Sequence, residues 1–156
     1  MAMTKESSLK VGSDSLGFYL SRTSIVFREH LKQTLADLTL SDHIKPGMGN
    51  LMFALYEQDG QTKTELAGKL LLSKMTITRL VREVEKHDLV KTVADGKDGR
   101  AIRVILTPLA KKLEPEYQEM ALNLEAKISS CFTPAQLAQF RDHLKTLLES
   151  FEKETS

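Results

Sequence analysis

The stretch from Thr62 to Leu106 leaves this chain the fewest options. Thr62-Lys-Thr-Glu65 is a capping box, in which a hydroxyl N-cap and the carboxylate three residues on satisfy each other's amides, so a short helix starts there. Leu66, Ala67 and Leu70 form its inner face. After Leu71-Leu72, Ser73 opens a second helix that turns Ile77, Leu80, Val81 and Val84 inward at i, i+3, i+4, i+7 spacing. Lys74, Thr76, Thr78, Arg79, Arg82 and Lys86 fall on its other face. So short a connection forces the two helices to cross steeply, as in a helix-turn-helix. Leu89 to Ala94 and Ala101 to Leu106 then read as strands, the second alternating Ile102, Val104, Leu106 against Ala101, Arg103, Ile105. Between them Asp95-Gly-Lys-Asp-Gly-Arg100 holds two Asp-Gly pairs, which supply the positive-φ positions of a hairpin. Helix, helix, hairpin is a winged helix.

The flanks are longer and apolar. Residues 1–12 are polar and without periodicity, and are expected to fray. From Ser13 one stripe runs through Leu16, Tyr19, Leu20, Thr23, Phe27, Leu31, Leu35 and Leu38, more than one small core can cover. Thr39 to Lys45 reads as a polar connection. Pro46, at a first helical position, starts a support helix through Leu51, Met52, Leu55 and Tyr56 to Asp59-Gly60. Beyond the hairpin, Thr107-Pro108 caps a long helix carrying Leu113, Tyr117, Met120, Leu124, Ile128 and Cys131. Thr133-Pro-Ala-Gln136 is a second capping box, and the last helix carries Leu137, Phe140, Leu144, Leu147, Leu148 and Phe151. Stripes this long need a partner surface, and a second copy related by a two-fold axis is the simplest. The alternative is that the terminal helices pack on one another within a monomer.

Charge locates the surface that meets a partner. The net charge of +1 divides unevenly: residues 1–60 carry 6 basic and 7 acidic groups, residues 61–107 carry 10 and 6, and residues 108–156 carry 6 and 8. An anionic partner is therefore met by the winged helix. The longest apolar run, Leu51 to Tyr56, is too short to cross a membrane, and no secretory signal is evident, so a cytoplasmic protein is expected. One cysteine excludes an internal disulfide framework.

The residues Glu65-Leu-Ala, Ser73-Lys-Met-Thr-Ile-Thr-Arg79, Asp98-Gly-Arg100 and Leu106-Thr107 resemble the multiple-antibiotic-resistance-regulator (MarR) family of winged helix-turn-helix transcription factors, and the order of the flanking helices extends the likeness over nearly the whole chain. Leu71 and Asp88 stand where relatives carry glycines, and Ala110 departs from a Leu-Thr-x-x-Gly pattern; Asp tolerates the left-handed conformation better than most residues. The resemblance implies a mainly α fold with a small β-wing, a winged helix-turn-helix at 46–106 within one domain at 13–156, and dimerisation helices at 13–38 and 108–156. It implies a homodimeric regulator, most simply a repressor, on a pseudo-palindromic operator. Major-groove edges distinguish all four base pairs, and the first turns of the second helix reach deepest. Ser73, Lys74, Thr76, Thr78 and Arg79 are thus candidates for base and phosphate contact, with Arg82 on phosphate. Lys97 and Arg100 suit the backbone or a narrow minor groove, Asp98 positioning Arg100. A solvated helix face has the same composition, and Arg82 and Lys86 have Glu83 and Glu85 within pairing distance along the helix.

The resemblance also implies a small effector, often a phenolic or aromatic acid, between the dimer helices and the winged module. Tyr19, Arg22, His30, Met52 and Tyr56 lie on segments able to line that crevice, Arg22 meeting a carboxylate. Taken singly, Tyr19, Met52 and Tyr56 read more readily as core and Arg22 as plain surface. Cys131 reads as a packing residue that completes a helix stripe, since it is not at the start of the first long helix where the family's oxidant sensors carry theirs. His30, His43, His87 and His143 are too scattered to suggest a metal site, and no nucleophile motif, P-loop or dinucleotide fingerprint points to an enzyme or cofactor. A winged helix used as a protein-interaction module is the competing reading. It would call for an apolar or acidic face on the second helix, and this one is basic and hydroxyl-rich.

Overall fold

A computed structural model describes residues 12–36, 38–96 and 101–154. Six helices and one hairpin follow in the order α1 (Leu16–Ala36), α2 (Gly49–Glu57), α3 (Lys63–Leu70), α4 (Lys74–Lys86), β1 (Val90–Ala94), β2 (Ile102–Leu106), α5 (Pro108–Ser129) and α6 (Pro134–Glu154), with 3-10 turns at Thr39–Asp42 and Pro46–Met48. Lys97 to Arg100, and with them three wing-tip candidates, lie outside the described residues, as do residues 1–11.

Local chemistry sets the boundaries. The Thr62 hydroxyl accepts the Glu65 amide at 3.2 Å, and the Glu65 carboxylate accepts the Thr62 amide at 2.7 Å. The second box closes likewise: the Gln136 amide donates to the Thr133 hydroxyl at 3.3 Å and the Thr133 amide to Gln136 Oε1 at 3.0 Å. Thr107 caps α5 through the Ala110 amide at 3.2 Å, with Pro108 behind it. Its own hydroxyl donates back to Asp88 O at 2.6 Å, tying the end of the hairpin to the turn that opens it.

Of the three departures from glycine, Leu71 and Asp88 adopt the backbone that glycine favours, whereas Ala110 lies within α5. Leu71 has φ 53 and Asp88 φ 56. At Asp88 the turn is a Schellman cap: its amide donates to Glu85 O at 3.0 Å and the Leu89 amide to Val84 O at 3.4 Å. Val84 and Leu89, the apolar pair this cap calls for, are both fully buried. The recognition-type helix therefore ends where the hairpin must begin.

One core joins the last turns of α1 (Leu35) to α2 (Leu51, Met52, Leu55), α3 (Leu66), α4 (Ile77, Val81, Val84), the hairpin (Val90, Val104, Leu106) and the first half of α5 (Leu113, Tyr117, Met120). Leu40 and Ile44 belong to it, both essentially inaccessible, which corrects the reading of Thr39 to Lys45 as merely polar. The Ile44 amide donates to Leu40 O at 2.7 Å, an α-type turn that sets these two residues four apart on one side, while Asp42 between them is exposed. The Glu116 carboxylate accepts the Thr39 amide and hydroxyl and holds the turn against α5.

The core stops at Met120. Along α1 from Leu16 to Phe27 the stripe is open, with Leu16 82% and Tyr19 52% exposed, and on α6 Leu148 and Phe151 are 55% and 60% exposed. Cys131 is exposed as well, not packed. α5 ends at Ser129, so Cys131 falls in the following turn, its thiol directed to Lys127 O at 3.5 Å. No described helix is long and apolar enough to cross a membrane.

Candidate nucleic-acid interface

Four anchors fix α4 and the hairpin as one unit. Ser73 caps α4 by accepting the Thr76 amide at 3.1 Å, and Ile77, Val81 and Val84 are wholly buried, so the helix can present only its opposite face. Glu85 turns away from that face, accepting both the amide and hydroxyl of Thr92 in β1 at 3.1 Å. The hairpin pairs Val90 with Leu106 and Ala94 with Ile102, and its other edge is met by the segment before α3, where the Val104 amide donates to Gln61 O at 2.9 Å. Arg103 crosses from β2 to give one guanidinium nitrogen to Gly60 O at 2.7 Å and another to Asp95 at 2.8 Å. That hydrogen-bonded carboxylate holds the Arg103 pKa above its ordinary value.

Behind these, Asp59 ties three elements: Oδ1 accepts the Gly60 and Leu106 amides at 2.8 Å each, and Oδ2 pairs with Lys111 at 3.1 Å. Buried Gln61 donates from Nε2 to Ala54 O and Gln58 O, both at 2.8 Å. None of Glu85, Asp59, Gln61 or Arg103 is marked in the sequence, because each acts on backbone or side chains that only the fold brings near.

The outward face of α4 carries Lys74, Arg79 and Arg82, all exposed, and no carboxylate among the described residues pairs with any of them. Lys86 differs, for Glu83 holds it at 3.1 Å. Three cations without an ion-pair partner among the described residues, on a helix where Glu83 is taken by Lys86, set a positive field outward, the condition for drawing in a polyanion. The hydroxyls are partly engaged: Ser73 and Thr76 lie 2.9 Å apart, and Thr78 donates to Lys74 O at 2.9 Å. Each keeps acceptor capacity. Met75, absent from the candidates above, is 82% exposed on the same face, lining one shallow depression with Lys74, Thr78, Arg79 and Arg82. Its signal was available in the sequence, as an apolar residue out of register with the inward stripe of α4.

The effector candidates do not converge in the chain by itself. Arg22 and His30 flank a shallow groove along α1, His30 Nε2 standing 3.3 Å from Lys127 Nζ. Tyr19 is exposed and bonds Asp14 at 3.2 Å. Met52 is fully buried, because it faces the core from α2, and so lines no crevice here. Tyr56 is half-buried, with its hydroxyl on Ala110 O at 2.9 Å and its ring 5.2 Å from that of Tyr117; burial raises its pKa. Among the described residues no group of three His, Cys, Asp or Glu side chains is placed to hold a metal ion.

Known proteins share this arrangement. The MarR family model matches residues 49–102, from α2 to the start of β2. The HTH-type transcriptional regulator YsmB of Bacillus subtilis (strain 168), itself uncharacterized, is 29% identical over 99 residues, 64% of this chain and 68% of that protein. A MarR transcriptional regulator from Methanosarcina mazei Go1 superposes with a TM-score of 0.67 at 25% identity, over 88% of this chain and 96% of its own. MepR of S. aureus, solved as a complex with DNA, gives a TM-score of 0.71 at 22% identity over 88% and 98%. With the family model lying across the α3–α4 turn and the hairpin, and the flanking helices superposing as well, residues 49–102 match the MarR family and the chain has the fold of its transcriptional regulators.

Proposed function

We propose that this protein is a sequence-specific DNA-binding repressor that acts in the cytoplasm as a homodimer. The observation that carries this reading is the outward face of α4, where Lys74, Arg79 and Arg82 stand exposed, with no carboxylate partner among the described residues, on a helix locked by its buried side. A helix so presented enters a major groove, Arg79 suited to a bidentate contact with guanine and Lys74 and Arg82 to phosphates. Ser73, Thr76 and Thr78 add hydroxyls at the same end. The wing tip adds Lys97 and Arg100 against the backbone or minor groove, with Asp98 positioning Arg100.

The open stripes of α1 and α6 support pairing of two copies through their terminal helices, which sets two α4 faces on one duplex. A small aromatic or phenolic acid held near Arg22 and His30 would release DNA by favouring a different spacing of those faces. Tyr19 and Tyr56 complete that proposal at its edges, whereas Met52 serves it only through packing. The test is selection of bound duplexes from a random-sequence pool. The reading expects a pseudo-palindrome with half-sites one helical turn apart, about 34–36 Å. A pool that stays random after repeated rounds contradicts it.

A further inference from the structure

We infer that Met75 is a specificity-determining residue that reads the 5-methyl group of a thymine in each half-site, an inference that rests on the DNA-binding reading above. Met75 is 82% exposed, in a helix whose other large apolar side chains, Ile77, Leu80 and Val81, are buried or packed against the core. Packing gives it no role. At 3.6 residues per turn it lies opposite Ile77, in one row with Arg79 at i+4 and Arg82 at i+7. It is the second residue after the Ser73 cap, in the part of the helix that goes deepest into a groove. Its neighbours in the depression include Lys74, Thr78, Arg79 and Arg82, which offer charge and hydroxyl to phosphates and base edges, while Glu83 at its margin is paired with Lys86.

A flexible thioether side chain offers neither a strong donor nor a strong acceptor. What it can match in the major groove is the one apolar feature displayed there, the thymine methyl. Burying that methyl against Met75 favours T over the other bases at one position, with Arg79 supplying discrimination at a neighbouring one.

The experiment uses the full chain and the duplex that selection returns. Each thymine is replaced in turn, symmetrically in both half-sites, by deoxyuridine, which lacks only the methyl. Affinity is measured for the wild type and for Met75→Ala, whose folding is checked by circular dichroism and thermal melting. The wild type should lose about fourfold per half-site at one position, the worth of one methyl group removed from water, and so roughly fifteenfold for the dimer. Met75→Ala should bind the thymine and deoxyuridine duplexes equally well at that position while keeping its sensitivity to salt. Specific binding in which no methyl matters, or in which the penalty is unchanged in Met75→Ala, overturns the role of Met75 and leaves the regulator reading intact. Failure to select any preferred duplex overturns both.

Discussion

Replacing Asp88 by glycine should make the protein more stable, although it removes a side chain and adds nothing. Asp88 sits at φ 56, beyond the end of α4, where a residue with a Cβ is strained by roughly 1 kcal/mol, somewhat less for Asp than for most. Its side chain is exposed, and every contact that matters is made by its backbone: the amide donates to Glu85 O and the carbonyl accepts the Thr107 hydroxyl. Glycine keeps both bonds, relieves the strain, and removes a negative charge from a helix C-terminus, a further few tenths of a kcal/mol. Against this stands the greater freedom of an unfolded glycine, about 0.5 kcal/mol. The balance is roughly 0.5–1 kcal/mol in favour of glycine, or about 2 °C in Tm for a chain of this size. Asp88→Ala should go the other way. Leu71 supplies the contrast: φ is 53, but its side chain is half-buried, so Leu71→Gly relieves about 1 kcal/mol of strain, loses about as much burial and about the same 0.5 kcal/mol to unfolded-chain freedom, and should be destabilised by about 0.5 kcal/mol. Urea unfolding followed by circular dichroism, at one fixed protein concentration because assembly would shift the midpoint, ranks the variants. If Asp88→Gly proves no more stable than Asp88→Ala, the strain argument is wrong.

Three further perturbations test other links. Thr62→Ala removes the hydroxyl that caps α3 and should cost about 1 kcal/mol in the same assay; an unchanged midpoint would mean the capping box does not hold the helix. Tyr117 is 5% exposed and donates to Gly49 O at 2.7 Å, so Tyr117→Phe should cost about 1 kcal/mol at neutral pH. Burial pushes its pKa up to about 12 from an unfolded value near 10, so the unfolded chain loses this proton first and stability falls as pH rises from 10 to 12. The fall should be shallower in Tyr117→Phe, and equal slopes would contradict the assignment. Leu148→Glu, on the open stripe of α6, should convert a dimer to monomers in sedimentation equilibrium, whereas an intact dimer would place the interface elsewhere.

The parts legible in the sequence were those decided within a few residues. The boxes at Thr62 and Thr133, the Ser73 cap and the inward spacing of Ile77, Val81 and Val84 are all interactions along one helix, and the structure has them. The open stripes of α1 and α6 were visible as patterns too, although what covers them is not in a single chain. Distance along the chain limited the rest. Arg103 reaches Gly60 and Leu106 reaches Asp59 across more than forty residues, and nothing local marks those partners. Leu40 and Ile44 were too few to form a pattern, and Met52 could not be told from a groove residue until α2 was oriented. Met75 differs again: it is an apolar residue on a face otherwise marked by charge, and its signal is exposure, which becomes plain only once Ile77, Val81 and Val84 are seen to be buried.

Whether the outward face of α4 binds DNA is decided by fluorescence anisotropy. Purified protein is titrated onto DNA from the region upstream of its own gene and onto a scrambled duplex, at two salt concentrations, beside Arg79→Ala. A DNA-binding α4 gives preference for the upstream fragment, affinity that falls steeply with salt, and a loss of roughly tenfold or more in Arg79→Ala, as expected for one base contact removed from each half-site. Binding to that fragment that ignores salt and is untouched by the substitution would contradict it.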